Sequence, residues 1–260
     1  MNTQQVIEHI TLWLKNYLES SPAKGFVVGV SGGIDSALSS TLAARTGYPL
    51  VCVEMPIHQH SDQVSRAREH IDFLEATYPN VSSVKADLTG VYDNFLAAMP
   101  QAQAPIDGGM AEVNSRARLR MTTLYYIAAQ YGHIVVGTGN KVEDFGIGFF
   151  TKYGDGGVDV SPIADLVKTE VYACAAELGV NQRILEAPPT DGLWGDDRTD
   201  EDQIGASYPE LEWAMGYTGD ESELSERQAE VLAIYRRYNR ANQHKMVPIP
   251  VCELPEPFER

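Results

Sequence analysis

Apolar positions in this chain follow two rhythms. Residues 5 to 18 put Ile7, Ile10, Leu14 and Tyr17 on one helical face, with Val6 and Trp13 beside it, so a helix is expected ahead of the first strand. Phe26-Val27-Val28-Gly29-Val30 is different: an uncharged, β-branched run bounded by turn formers, suited to a buried parallel strand. Leu50 to Met55, closed by Pro56, reads as a second strand, Val81 to Leu88 as a third and Ile134 to Gly137 as a fourth. Helical patterns fill the intervals. One begins at Asp35 and runs to Thr46; another covers 61 to 77 with Ser61 as N-cap. Val113, Ala117, Met121, Leu124 and Ala128 recur at spacings of four or three, and Val167, Val171, Cys174 and Leu178 form a stripe that Gly179 ends. Strands alternating with helices imply an α/β fold, a doubly wound parallel sheet flanked by helices, with ligands at the carboxyl ends of the strands. Residues 101 to 109 read as a loop. Residues 187 to 202, with six carboxylates and two adjacent prolines, read as a mobile one, and Leu193 and Trp194 could close it over a ligand. The last thirteen residues hold four prolines and are expected to be extended. Neither a repeat nor a linker divides the chain, so residues 1 to 260 are read as one domain.

Charge narrows the function classes. A formal net charge of −16 argues against non-specific binding to nucleic acid or to an anionic membrane. Cys52, Cys174 and Cys252 are far apart, form no CxxC pair and sit among apolar residues, so buried thiols are expected rather than a disulfide framework or a zinc site. With no membrane-length apolar run and no signal-peptide profile, the expected location is cytoplasmic.

The chemistry starts where the first strand ends. Gly29-Val30-Ser31-Gly32-Gly33-Ile34-Asp35-Ser36 passes from a strand through a Gly pair into a helix start. Gly32 and Gly33 permit a tight turn whose N–H groups converge on an anion, and the helix N-terminus favours negative charge. Asp35 stands where a carboxylate can hold a divalent cation against phosphates. The Walker pattern GxxxxGK[ST] occurs nowhere, so this is a nucleotide-phosphate loop without its lysine. The Ser-Gly-Gly-x-Asp-Ser string resembles the loop of N-type ATP pyrophosphatases.

Further motifs narrow the resemblance. Gly137-Thr138-Gly139-Asn140-Lys141 with Glu143, then Gly148-Phe149-Phe150-Thr151-Lys152-Tyr153-Gly154-Asp155, is similar to the ammonia-dependent NAD synthetase family. Asn114 to Met121, Pro189-Thr190 and His244-Lys245 resemble its other signatures, in the same order, so the likeness runs from about residue 25 to residue 250. It implies an adenine nucleotide alpha hydrolase-like fold and a homodimer. The implied reaction takes deamido-NAD, ATP and ammonia to NAD, AMP and pyrophosphate through an acyl adenylate, with Mg²⁺ as cofactor. By the same resemblance Gly29 to Ser36, Thr138, Lys168 and Thr190 contact ATP, and Asp35 and Glu143 bind metal. Asp35 and Lys168 carry catalysis, while Arg118, Lys152, Asp159, His244 and Lys245 form the deamido-NAD pocket. Arg116 and Arg120 lie on the helix that carries Arg118, off its edge of the apolar stripe. Between Glu143 and Lys152 the chain has one residue more than that family's spacing.

Two other classes compete with this reading. A tRNA-thiolating or GMP-amidating enzyme with the same ATP loop would want a basic face, a thiol pair or a glutaminase partner. A nucleotide-binding module without catalysis would have no need of Asp35, Glu143 and Lys168 together. Only about 25 residues precede the first strand, too few for a glutamine-hydrolysing domain, so free ammonia is the expected nitrogen donor.

Overall fold

The computed structural model describes residues 1–100, 109–190 and 199–254. Four strands, β1 (Phe26–Gly29), β2 (Leu50–Glu54), β3 (Val81–Lys85) and β4 (Ile134–Val135), form a parallel sheet in the order β3-β2-β1-β4. Phe26 pairs with Leu50 on one side and Ile134 on the other. The central β1 is therefore the point where strand order reverses, and a crevice opens at its carboxyl end. The expected strands were placed correctly but drawn long: β3 stops at Lys85, and β4 continues only as a Val136–Val160 bridge.

Both sheet faces are apolar because alternate residues of each strand face opposite layers. Phe26, Val28, Leu50 and Cys52 pack with α1 (Thr3–Glu19), α2 (Ile34–Arg45), α3 (Ser61–Thr77) and α6 (Lys168–Glu177). Val27, Val51, Val53 and Val135 instead meet α4 (Thr89–Ala98) and α5 (Met110–Tyr131). A third apolar cluster joins a π-helical turn, Lys141–Ile147, to α8 (Asp200–Ile204), α9 (Tyr208–Gly216) and α10 (Glu226–Met246); the short α7 (Gln182–Leu185) packs with α2 and α6. No helix among the described residues is long and apolar enough to cross a membrane.

Three expectations need correction. On α1 the buried face is Ile7, Ile10, Leu14 and Leu18, whereas Tyr17 is 41% exposed. Both series fit helical spacing, and the face packed on α2 and α6 takes the smaller aliphatic residue. The N-cap of α3 is His60, whose imidazole accepts from the Asp62 N–H, and not Ser61. Cys52 and Cys174 are buried as expected, but Cys252 is exposed on the proline-rich tail, which has little to pack against. Residues 101–108, and 191–198 with Leu193 and Trp194, lie outside the described residues.

Candidate active site

The loop from Gly29 to Ser36 leaves β1 and opens α2. Gly32 has φ +84°, and a Cβ there would lie 2.5 Å from the Gln63 carbonyl oxygen and 2.9 Å from Ala67 N. Both conformation and space demand glycine. The loop's own serines hold it: Gly33 N–H donates to Ser31 Oγ, Ser31 N–H to Ser36 Oγ, and Ser36 Oγ back to the Gly33 carbonyl. These bonds leave the start of α2 facing the crevice, where its N–H groups favour an anion.

Directly below, three residues from three elements converge. Lys168, the first residue of α6 and only 3% exposed, donates to Asp35 Oδ2 at 2.6 Å and Glu143 Oε1 at 2.8 Å. An ammonium at a helix N-terminus opposes the dipole, and the two carboxylates compensate it. Burial lowers the affinity of Lys168 for its proton, but Asp35 and Glu143 more than reverse this and raise its pKa. The two acids respond in opposite directions. Burial, with Glu143 nearby, raises Asp35, whereas Lys168 overcomes burial at Glu143 and lowers it.

Asn140 and Tyr208 hold this trio. The fully buried Asn140 caps the π-helical turn, its Oδ1 accepting from Val142 and Glu143 N–H, both at 3.1 Å. With that oxygen committed, Nδ2 must face Asp35, to which it donates at 3.0 Å. Tyr208 Oη donates to Glu143 Oε1 at 2.5 Å, and its ring lies 4.8 Å below the Lys168 ammonium.

A cavity of about 300 Å³ lies over these groups. It is lined by the whole Gly29–Ser36 loop, Thr138, Glu143, Lys168 and Thr190, so every residue expected at ATP or metal meets in one place. Met55, Pro56 and Leu124 supply an apolar wall suited to a flat base. Of the three α5 arginines, Arg120 lines this cavity: its Nε donates to the Met55 carbonyl and its guanidinium to Gln59.

The residues expected at deamido-NAD form a separate group beside it. Arg118 Nε donates to the Lys152 carbonyl at 3.3 Å, Lys152 Nζ to the His244 carbonyl at 2.6 Å, and Lys245 Nζ to the Gly148 and Phe150 carbonyls. α5, the loop after the π-helical turn and α10 thus bring the Arg118, Lys152 and Lys245 side chains together, with His244 joined through its carbonyl. Asp144 and Asp155 connect them to the cavity, which both line. Burial, Asp155 and Glu143 raise Asp144 well above the carboxylate range, and desolvation pushes Asp155 up to about 6. Asp159 stands apart. Its Oδ2 accepts from Val135 N–H at 2.7 Å and its Oδ1 from Tyr125 Oη at 3.0 Å, so its carboxylate serves β4 and α5.

The sequence model of the NAD synthase family matches residues 6–248. The chain belongs to the NAD synthase family. It is 35% identical over 247 residues to the NH(3)-dependent NAD(+) synthetase of Carboxydothermus hydrogenoformans, covering 94% of this chain and 96% of that one. Among solved structures, the NMN synthetase of Francisella tularensis has a TM-score of 0.83 and 30% identity, over 98% of this chain and 99% of that one. The NH3-dependent NAD synthetase of Campylobacter jejuni follows the same path at TM-score 0.74 and 25% identity, over 97% and 100% of the two chains.

Lys141–Ile147 is π-helical, and Gly148 N–H reaches back five residues to the Glu143 carbonyl. This turn carries Glu143, whose carboxylate lies beside Lys168. Asn140 belongs to the Gly137–Lys141 motif, yet its bond to Asp35 spans 105 positions and has no local signature. Tyr208 carries no motif of its own; the nearest local signal is the Ser207-x-x-Glu210 capping box that starts α9.

Proposed function

We propose that this chain amidates deamido-NAD with ammonia, cleaving ATP to AMP and pyrophosphate through an acyl adenylate. The observation that carries the reading is the contact of Lys168 with both Asp35 and Glu143 beneath the phosphate loop, in a member of the NAD synthase family. A nicotinate carboxylate has a poor leaving group. Attack of its oxygen on the ATP α-phosphorus replaces that with AMP, which ammonia then displaces. Such chemistry requires positioning and charge neutralisation, with no nucleophilic side chain.

On this reading Gly29 to Ser36, Thr138, Lys168 and Thr190 hold ATP. Asp35 and Glu143 fit Mg²⁺, since this cation is usually held by one or two carboxylates together with substrate phosphates, and both acids line the cavity. Bound there it would neutralise phosphate charge. Lys168 keeps the two carboxylates paired until then. Arg118, Lys152, His244 and Lys245 suit the anionic groups of the dinucleotide. Asp159 contributes indirectly, by tying β4 to α5. We place the nitrogen donor as free ammonia, in keeping with the names of the relatives, and the working form as a cytoplasmic homodimer of a single-domain chain.

The likeness to the Francisella tularensis NMN synthetase favours a second reading, in which the acid amidated is nicotinic acid mononucleotide. One experiment separates them: AMP formation from ATP and ammonium with deamido-NAD or with the mononucleotide. We expect AMP only when acid and ammonium are both present, and a higher kcat/KM for deamido-NAD. A higher kcat/KM for the mononucleotide selects the second reading; AMP with neither acid rejects both.

A further inference from the structure

The cavity is poorly provided with positive charge for a polyphosphate. Six carboxylates line it among the described residues, against Arg66, Arg120 and Lys168. Lys168 is held between Asp35 and Glu143, and Arg120 by the Met55 carbonyl and Gln59. Arg66 differs. It rises from α3, and its Cβ lies 3.2 Å from where a Gly32 Cβ would stand, so its stem runs against the phosphate loop. Its Nε donates to the Gly32 carbonyl at 3.2 Å, which orients the guanidinium, and no carboxylate among the described residues pairs with it. The terminal nitrogens remain for a ligand beside the loop. A planar fork there matches two phosphate oxygens at once, as a lysine cannot.

We propose that Arg66 is a further catalytic residue, whose guanidinium binds the outer phosphates of ATP and stabilises pyrophosphate as it leaves. The proposal rests on the ATP-cleaving reading above. In that step the carboxylate oxygen bonds to the α-phosphorus, and the bond from that phosphorus to the bridging oxygen breaks. The electron pair departs with pyrophosphate; nothing is oxidised or reduced. Negative charge grows on the leaving group, and Arg66 meets it there.

The test compares wild type with Arg66→Gln, Arg66→Met, which keeps the stem against Gly32, and Arg66→Lys. Initial rates are measured against ATP, and inorganic pyrophosphate is titrated calorimetrically into the resting protein with Mg²⁺. Losing a charged fork on phosphate should lower both kcat/KM for ATP and pyrophosphate affinity by roughly 10- to 100-fold in the neutral variants. The KM for the acid substrate should stay unchanged, and Arg66→Lys should recover part of the loss. The titration needs no turnover, so it reports on Arg66 even if amidation proves to be the wrong reaction. Folded neutral variants that bind pyrophosphate as wild type does would overturn the proposal, whether or not the protein makes NAD. Should Arg66→Gln fail to fold, Arg66→Met decides by the same readings.

Discussion

Asn140→Asp changes one buried atom at the centre of the site. The new side chain keeps the oxygen that accepts from Val142 and Glu143 N–H, so the π-helical turn stays capped. Its other oxygen takes the place of the Nδ2 that donates to Asp35 at 3.0 Å. Two carboxylates at that distance repel by about 5 kcal/mol at an effective dielectric constant of about 20. Lys168 offsets part of this, so a deficit on the order of 2 to 5 kcal/mol is expected at neutral pH. Binding a proton relieves it, because a carboxylic acid can again donate to Asp35. Repulsion therefore raises the folded-state pKa of the pair above the unfolded value of about 4. The variant's stability is fully present below that unfolded value and is lost as pH rises through the raised folded pKa. Urea unfolding of variant and wild type over a pH series should show a deficit that is small in acid and grows toward neutrality. A deficit that stays constant with pH, or is absent at neutral pH, would refute the linkage through Asn140.

Lys168→Met leaves Asp35 and Glu143 without their cation and should cost about 3 to 5 kcal/mol. Mg²⁺ should restore part of its melting temperature if the two acids hold that ion, and a variant melting like wild type would contradict the pairing. Gly32→Ala meets both a φ of +84° and the Gln63 carbonyl. Backbone strain of about 1 to 3 kcal/mol is expected, with weaker ATP binding by calorimetry; unchanged melting and binding would remove Gly32 from the phosphate turn. Lys152→Ala should weaken deamido-NAD more than ATP, and equal losses would point to disorder of its loop. With ammonium as donor, NAD formation should rise as pH climbs above neutral because NH₃ is the attacking species, while glutamine should be a poor donor. Equal rates from the two would overturn the ammonia assignment.

The sheet was legible because each strand is a short apolar run ending in a turn former, and β-branched segments such as Val27-Val28 have few alternatives in an α/β chain. The phosphate loop was legible for a similar reason: its turn needs the positive φ of Gly32, while Gly33 is extended at φ −95° and has room for a Cβ. Asp35, Glu143 and Lys168 were found through motifs, but their meeting on one ammonium is a product of topology. They stand after β1, after β4 and at the start of α6, and the reversal of strand order brings these points together. Arg66, Asn140 and Tyr208 escaped because their partners are far along the chain. Arg118 and Arg120 are two positions apart on α5 and so point about 160° apart around the helix. The neighbouring elements decide that Arg120 meets the cavity while Arg118 meets Lys152. Asp159 was assigned to deamido-NAD through the resemblance alone, and its hydrogen bonds to Val135 and Tyr125, which depend on the folded sheet, have no local signature.

Isotope transfer tests the central claim most directly. Deamido-NAD labelled with ¹⁸O in its nicotinate carboxylate is turned over with ATP and ammonium, and the products are analysed by mass spectrometry. If the carboxylate attacks the α-phosphorus and ammonia displaces AMP, each turnover leaves one labelled oxygen in AMP and none in pyrophosphate. Label in inorganic phosphate, with ADP as the other product, would place the attack at the outer phosphate, and AMP without label would exclude the acyl adenylate.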